Sequence, residues 1–194
     1  SLVSIGERSF SGCKKMTQIK IPSSVQIINK GAFYLDYDLN QLIFEVPSSL
    51  TSILDEAFSH NHLKEITIPS SVTFIGKEAF SDSYSCEKVI FTSPSSVSSI
   101  GAFAFGECSS LKSIEIPPKV TIIEEGLFNE CTKLCQIILP QFITKIEDKA
   151  FNKCKALTEL IIPSSVTSIG KNAFSGCESL SHIKIPSSVV SIGD

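Results

Sequence analysis

The sequence has 194 residues, 42% of them hydrophobic, which is enough to form a packed core. Its 17 basic and 20 acidic residues give a net charge of −3 and form no run of one sign, which argues against a nucleic-acid partner. No apolar run approaches the roughly 18 residues that cross a bilayer, and residues 1–6 do not resemble a secretion signal, so we expect no membrane insertion within this sequence.

Proline recurs along the whole chain at separations of 22 to 25 residues. A fixed period of this size predicts a repeat architecture in which each copy stacks on its neighbours, because one copy cannot bury its own apolar face. About eight copies are present, marked by Pro22, Pro47, Pro69, Pro94, Pro117, Pro140, Pro163 and Pro186.

Each copy contains three predicted elements in chain order. Residues 114–116 alternate apolar and polar side chains, which predicts a short β-strand that Pro117 ends. Residues 166–169 predict a second short strand, and residues 173–174 a helical turn or tight loop. A strand that recurs once per circuit pairs in parallel with neighbours about 4.8 Å away. The fold class predicted is therefore a right-handed curved solenoid of about eight repeats with little regular helix.

We expect residues 1–194 to form a single solenoid. The first residues of the chain fall within the repeat segment 2–5 and the last within the segment 189–193, which have nearly the same phase of the repeat. This coincidence suggests a piece excised from a longer array.

The consensus circuit L-x-x-I-x-I-P-x-x-V-x-x-I-x-x-x-A-F-x-x-C-x-x-L closely resembles the BspA-like leucine-rich-repeat family, which is related to the treponemal leucine-rich-repeat proteins. The resemblance covers essentially the whole chain and includes the Pro-Ser-Ser-Val box at 163–166 and the Ala-Phe box at 173–174. It implies a cell-surface or secreted protein of a bacterium or mucosal protist that takes part in adhesion or co-aggregation. Such solenoids serve many functions, so the ligand does not follow from the family.

Two repeats are longer than the others at the same place. Residues 45–46 precede Pro47, and residues 92–93 precede Pro94, as insertions between strand and proline. Insertions confined to one side of a solenoid often decorate a binding face, but neutral drift in loop length is the favoured explanation.

A third repeat is one residue short around His60 and His62, and Asn61 takes the position that cysteine has elsewhere. Two imidazoles without a third ligand make a poor metal site, so an exposed irregular corner is favoured. No metal site is predicted.

Seven cysteines, an odd number without a C-x-x-C pair, indicate neither a disulfide framework nor a zinc site. Cys86 takes a core leucine position, whereas Cys135 is predicted to face solvent as the one readily alkylated thiol. A free exposed thiol favours a reducing interior over secretion. An inward column of inert thiols is predicted for the cysteines three residues after the repeat phenylalanine, namely Cys13, Cys108, Cys131, Cys154 and Cys177.

The sequence offers no grouping for catalysis. Only three histidines are present, and most serines lie in Pro-Ser-Ser boxes where hydroxyls bond local backbone. Acidic pairs at 55–56 and 124–125 are interpreted as solvated loop charges, and no nucleotide-binding or EF-hand motif occurs. We expect a protein that is not an enzyme and has no cofactor.

The residue between the two buried aliphatics of each strand is predicted to project from the concave sheet. Half of this outward column is isoleucine, and the column beside it is polar. The two columns are Lys20, Ile43, Thr67, Ile90, Glu115, Ile138, Ile161 and Lys184, and Gln18, Gln41, Glu65, Lys88, Ser113, Gln136, Glu159 and His182.

An apolar stripe with a polar border is typical of an interaction surface, although β-branched residues also favour strands whichever way they face. The predicted protein-binding residues are Ile43, Ile90, Glu115, Gln136, Ile138, Glu159, Ile161 and His182.

Three functions remain open at this point. The first is a surface or secreted module that binds a protein or glycoprotein of the host or matrix. The second is a structural scaffold that associates with itself through open ends or edges, which self-association without a partner would reveal. The third is an intracellular interaction protein, favoured if Cys135 is free in the native source.

Overall fold

The computed structural model of the protein describes residues 1–193, which form a parallel β-solenoid of about eight turns without any helix in that range. A short strand of two residues alternates with a long strand of three or four. The short strands are β1 (Ser4–Ile5), β3 (Ile27–Ile28), β5 (Ser52–Ile53), β7 (Phe74–Ile75), β9 (Ser99–Ile100), β11 (Ile122–Ile123), β13 (Lys145–Ile146), β15 (Ser168–Ile169) and β17 (Ser191–Ile192). The long strands are β2 (Gln18–Ile21), β4 (Gln41–Phe44), β6 (Glu65–Ile68), β8 (Lys88–Phe91), β10 (Ser113–Glu115), β12 (Gln136–Ile138), β14 (Glu159–Ile161) and β16 (His182–Lys184).

Strands pair in parallel with the equivalent strand of a neighbouring turn. In the β2–β4 pair, Gln18 lies opposite Gln41 and Ile21 opposite Phe44. The short strands form two ladders of their own, β1-β3-β5-β7-β9 and β11-β13-β15-β17. The predicted parallel solenoid, with one main strand and one short strand per repeat, is confirmed.

The repeat phenylalanines stack through the middle of the core. Neighbouring ring centroids lie 5.0 to 6.2 Å apart, and the planes of neighbouring rings differ by 3° to 16°. Offset stacking of this kind adds to the free energy of burial. The column comprises Phe10, Phe33, Phe58, Phe80, Phe105, Phe128, Phe151 and Phe174.

Two backbone positions in every turn, two residues before and two residues after the phenylalanine, have a positive φ. Glycine takes four of these sixteen positions, and at Gly126 a Cβ would lie 2.1 Å from the ring of Phe103 in the preceding turn. The cost of left-handed backbone at the other residues is offset by hydrogen bonds to the next turn. The amide of Leu35, for example, donates to the carbonyl of Ser59 over 3.1 Å.

Three of the five cysteines that follow a repeat phenylalanine by three residues are buried, as predicted, namely Cys108, Cys131 and Cys154, and Cys177 is half-buried. Cys131 and Cys154 are fully buried, and their thiols donate to the carbonyls of Phe105 and Phe128 in the preceding turn over 3.1 and 3.2 Å. Burial raises the pKa of both thiols above the ordinary value, so they stay protonated and unreactive. The prediction is wrong for Cys13, which is exposed, whereas the cysteines of later turns are covered by the turn before them.

The same column is polar in the N-terminal half of the solenoid, where Asp36, Asn61 and Ser83 are buried. The corner at residues 60–62 is therefore not simply exposed, because Asn61 is packed inside. Its side-chain carbonyl accepts hydrogen bonds from the Leu63 amide at 3.3 Å and from Ser83 Oγ at 3.2 Å, and its amide donates to the Phe58 carbonyl. These bonds satisfy the amide and make its burial tolerable.

The pairing of the long strands is interrupted after each of the two insertions, and also between β12 and β14, where no insertion occurs. After the insertion that follows β4, β4 and β6 lie side by side but belong to different ladders. After the insertion that follows β8, β8 and β10 pair only at Lys88 and Ser113. Each insertion thus opens the corner at which its strand ends.

Candidate protein-binding surface

The outward residues of the long strands lie on one surface, which we call the long-strand face. The structure places all eight predicted binding residues on it, seven of them exposed and Ile90 half-buried. The strand pairing brings Glu115 beside Ile138, and Glu159 beside His182. Their placement follows from the period of two in each strand, which alternates inward and outward side chains.

Exposure varies strongly along the isoleucine column. Ile43 is 38% exposed, Ile138 52% and Ile161 85%. The last two lie on β12 and β14, which are neighbours. The apolar part of the face is therefore concentrated at these two strands rather than spread over the whole array.

A groove of about 380 Å³ runs between β12 and β14 at this place. Ile138 and Ile161 belong to its apolar lining together with Leu139 and Pro163, and Gln136 and Glu159 supply polar groups. Cys135 also lines the groove and is exposed, as predicted, with its thiol 3.4 Å from the Lys112 carbonyl. The groove is open on one side and offers hydrophobic contact flanked by hydrogen-bonding groups.

Two further grooves lie where the insertions open the corners of the face. A groove of about 360 Å³ is bordered by Ile43 and by Val46, which is almost fully exposed. A groove of about 710 Å³ lies between Pro94 and Pro117, with Ile90 and Glu115 in its wall. The insertions therefore shape the rim of the long-strand face.

Charges at the rim of the face are partly neutralised within the protein. Lys20 Nζ lies 2.8 Å from a carboxylate oxygen of Glu45. The hydrogen bond from Lys20 lowers the pKa of the Glu45 carboxyl, and a second, from the Ser23 amide, lowers it further. Lys112 lies 2.6 Å from Glu87 and lowers the pKa of Glu87 in the same way. Exposed pairs of this kind contribute little to stability, so they serve mainly to balance charge at the border.

The histidine corner and the acidic pairs have local structural partners. His60 Nδ1 lies 3.7 Å from Asp82 Oδ1, and its ring packs edge-on to Tyr34 at 5.4 Å. Asp55 accepts a hydrogen bond from the Lys77 amide at 2.9 Å. Residues 1–193 contain no group of three His, Cys, Asp or Glu side chains that could hold a metal ion. Over the same range no helix is long and apolar enough to cross a membrane.

Sequence reasoning missed one exposed aromatic residue near the face. Phe142 is 69% exposed and stands in the corner after β12. The signal was present, because this repeat reads Pro-Gln-Phe-Ile where the others favour Pro-Ser-Ser-Val. A serine at this position, such as Ser165, has its hydroxyl oxygen 2.7 and 2.5 Å from the carbonyls of Gln141 and Ile143 in the preceding turn and can donate its proton to one of them, which phenylalanine cannot do.

Comparisons with solved structures agree with this architecture. A leucine-rich repeat protein from Bacteroides ovatus is 34% identical with a TM-score of 0.77, and the alignment covers 99% of this chain but only 55% of that protein. The leucine-rich repeat protein TpLRR of T. pallidum is 30% identical with a TM-score of 0.71, over 92% of this chain and 72% of that one. The pneumococcal vaccine antigen PcpA shares the fold at 23% identity and a TM-score of 0.53, over 100% of this chain and 64% of that one.

No curated protein sequence matches the chain significantly. The profile of the BspA-type leucine-rich repeat region matches in six copies over residues 1–93 and 84–194. Together with the stacked turns of the solenoid, this match shows that the chain belongs to the BspA-type leucine-rich-repeat family.

Proposed function

We propose that the chain is a non-enzymatic binding module of a cell-surface or secreted protein, and that it adheres to a host or matrix protein or glycoprotein through the long-strand face. One observation carries this proposal, the exposure of Ile138 and Ile161 on adjacent strands within a polar border. Contiguous exposed apolar side chains with a polar rim are typical of protein-binding surfaces.

Strand propensity is a weaker explanation of these two isoleucines. A β-branched residue is favoured in a strand, but threonine meets that preference equally well and stands at the same position in β6 as Thr67. Isoleucine at 85% exposure leaves a large aliphatic side chain in water without packing benefit. A partner that covers Ile138 and Ile161 would recover this free energy.

Membership in the BspA-type family supports the surface or secreted location, because the family resemblance implies adhesion. The solenoid also supports a binding role, since a stack of identical turns presents a long, continuous surface rather than an enclosed site. His182 Nδ1 lies 3.0 Å from Ser181 Oγ on the exposed surface, but among residues 1–193 no third side chain bonds the imidazole to orient it, as a serine nucleophile would require.

The test compares the protein with the variant Ile138→Lys/Ile161→Lys in a pull-down from host-cell surface and matrix extracts. A matched control is Ile27→Lys/Phe74→Lys, because these two residues lie on short strands and are each 37% exposed. Captured proteins are then purified, and their affinity for all three forms is measured by surface plasmon resonance.

We expect the Ile138→Lys/Ile161→Lys variant to bind at least about tenfold more weakly, since buried apolar anchors dominate protein interfaces. Its melting temperature should stay within about 2 °C of the unmodified protein, because both side chains are on the surface. Equal loss in both double variants, or none in either, would refute the assignment of the long-strand face.

A further inference from the structure

Four neighbouring residues of the outward column form a self-complementary patch, Glu115, Ile138, Ile161 and Lys184. Glu115 on β10 lies opposite Ile138 on β12, Ile161 on β14 lies opposite Lys184 on β16, and β12 lies beside β14. The patch therefore has two isoleucines in its middle and opposite charges at its ends.

The charges at the two ends are free to bind a partner. Glu115 and Lys184 are exposed, and neither has an ion-pair partner among residues 1–193. By contrast, Lys20 at the other end of the column is already paired with Glu45 at 2.8 Å. The self-complementary patch is thus both apolar in the middle and electrostatically unsatisfied at its edges.

A two-fold axis parallel to the strands, midway between β12 and β14 and in the plane of contact, superposes this patch on a second copy of itself. The axis reverses the order of the strands and keeps their direction. Glu115 then faces the partner's Lys184, and Ile138 faces the partner's Ile161. In the flanking polar column, Gln136 faces the partner's Glu159, so an amide donor meets a carboxylate acceptor.

Other placements of the axis on this column do not give such complementarity. An axis between β8 and β10 would lay Ile90 over the partner's Glu115 and bury a carboxylate against an aliphatic side chain, which is costly. An axis between β6 and β8 would pair Ile43 with Glu115, with the same cost. Complementarity under a two-fold is the requirement for an isologous dimer, in which one patch contacts its own copy.

We propose that this patch binds a second copy of the chain as a two-fold dimer, which covers Ile138 and Ile161 when no other partner is present. The inference rests on the proposed function in that both use the long-strand face as a protein-binding surface. Four strands about 4.8 Å apart span roughly 14 Å between their outer axes, so the contact is smaller than a standard interface. We expect weak binding, with a dissociation constant on the order of 100 µM, and arrays on one surface would strengthen it through multivalency.

Sedimentation equilibrium between about 5 and about 500 µM tests the dimer directly. Glu115→Lys and Lys184→Glu should each weaken the dimer at least about tenfold, because each places like charges opposite one another. The charge-exchanged double variant, Glu115→Lys/Lys184→Glu, should return the dissociation constant to within about threefold of the original.

The control Lys145→Glu makes the same charge change on short strand β13 and should leave the dimer unchanged. Circular dichroism confirms that each variant is folded. A protein that stays monomeric at all concentrations, a double variant that does not recover, or equal weakening by Lys145→Glu would overturn the proposal.

The two proposals fail separately. A monomeric protein whose captured partner is still lost with Ile138→Lys/Ile161→Lys would refute the dimer and leave the adhesive face in place. A dimer restored by charge exchange, without any captured host protein, would support the dimer and refute host adhesion.

Discussion

Replacing Asp36 by asparagine is expected to stabilise the protein at neutral pH. The Asp36 side chain is fully buried; its Oδ1 accepts a hydrogen bond from the Cys13 amide at 2.7 Å, and its Oδ2 has no partner among the described residues. Burial raises the pKa of this carboxyl from 3.8 to about 6 in spite of the bonds from Cys13 and Gly12. At neutral pH the folded protein therefore holds a charge that burial disfavours.

The sign and size of the effect follow from the two pKa values. Between pH 3.8 and about 6 the folded state retains a proton that the unfolded state has lost, so stability falls as the pH rises through this window. A difference of about two in pKa corresponds to at most about 3 kcal/mol. Asparagine cannot ionise, and Asn61 shows how an amide fits the same position by donating to the phenylalanine carbonyl of its own turn.

Urea unfolding followed by circular dichroism at pH 4 to 8 measures this effect. We expect the Asp36→Asn variant to gain about 1 to 3 kcal/mol at pH 8 and almost nothing at pH 4. The control Asp38→Asn removes an exposed carboxylate nearby and should change stability by less than about 0.5 kcal/mol. Parallel pH profiles for the unmodified protein and Asp36→Asn, or a less stable variant at pH 8, would contradict the argument.

Two further predictions concern burial in the core. Iodoacetamide should alkylate exposed Cys13 and Cys135 rapidly in the folded protein, whereas buried Cys131 should react only on unfolding. Peptide mass spectrometry measures the labelling of each cysteine, and rapid labelling of Cys131 would contradict its placement. Phe105→Ala should cost about 3 to 5 kcal/mol in urea unfolding, since it removes a fully buried ring from the middle of the stack. Phe10→Ala, at the 41% exposed end of the same stack, should cost clearly less, and equal losses would show that stacking depth is unimportant.

The repeat made most of the fold predictable. A proline at a regular separation located each strand end, and the alternation in residues 114–116 identified which side chains face the core. The outward position of Ile138 and Ile161 followed from the same alternation. These features depend only on neighbours within one turn and on the stacking of turns, and the repeat period of the sequence indicates both.

Features that depend on the neighbouring turn were harder to predict. Cys13 has the same place in its repeat as Cys131, yet it is exposed because burial at this position depends on the turn before it. Asn61 is buried because Ser83 of the next turn hydrogen-bonds its carbonyl, a contact 22 residues away. The sequence also did not predict the left-handed backbone at Phe103, because glycine occupies the equivalent position in only some repeats.

The same dependence on neighbouring turns sets how the length of this protein can change. Backbone bonds such as Leu35 to Ser59 join one turn to the next, so deletion or duplication of one complete circuit would restore equivalent contacts on either side of the junction. A change of one or two residues would instead displace every following strand, unless it falls at a corner such as 45–46 or 92–93, beyond which the short strands pair in register again. Related genes should therefore differ in length by whole circuits, and shorter differences should collect at these corners.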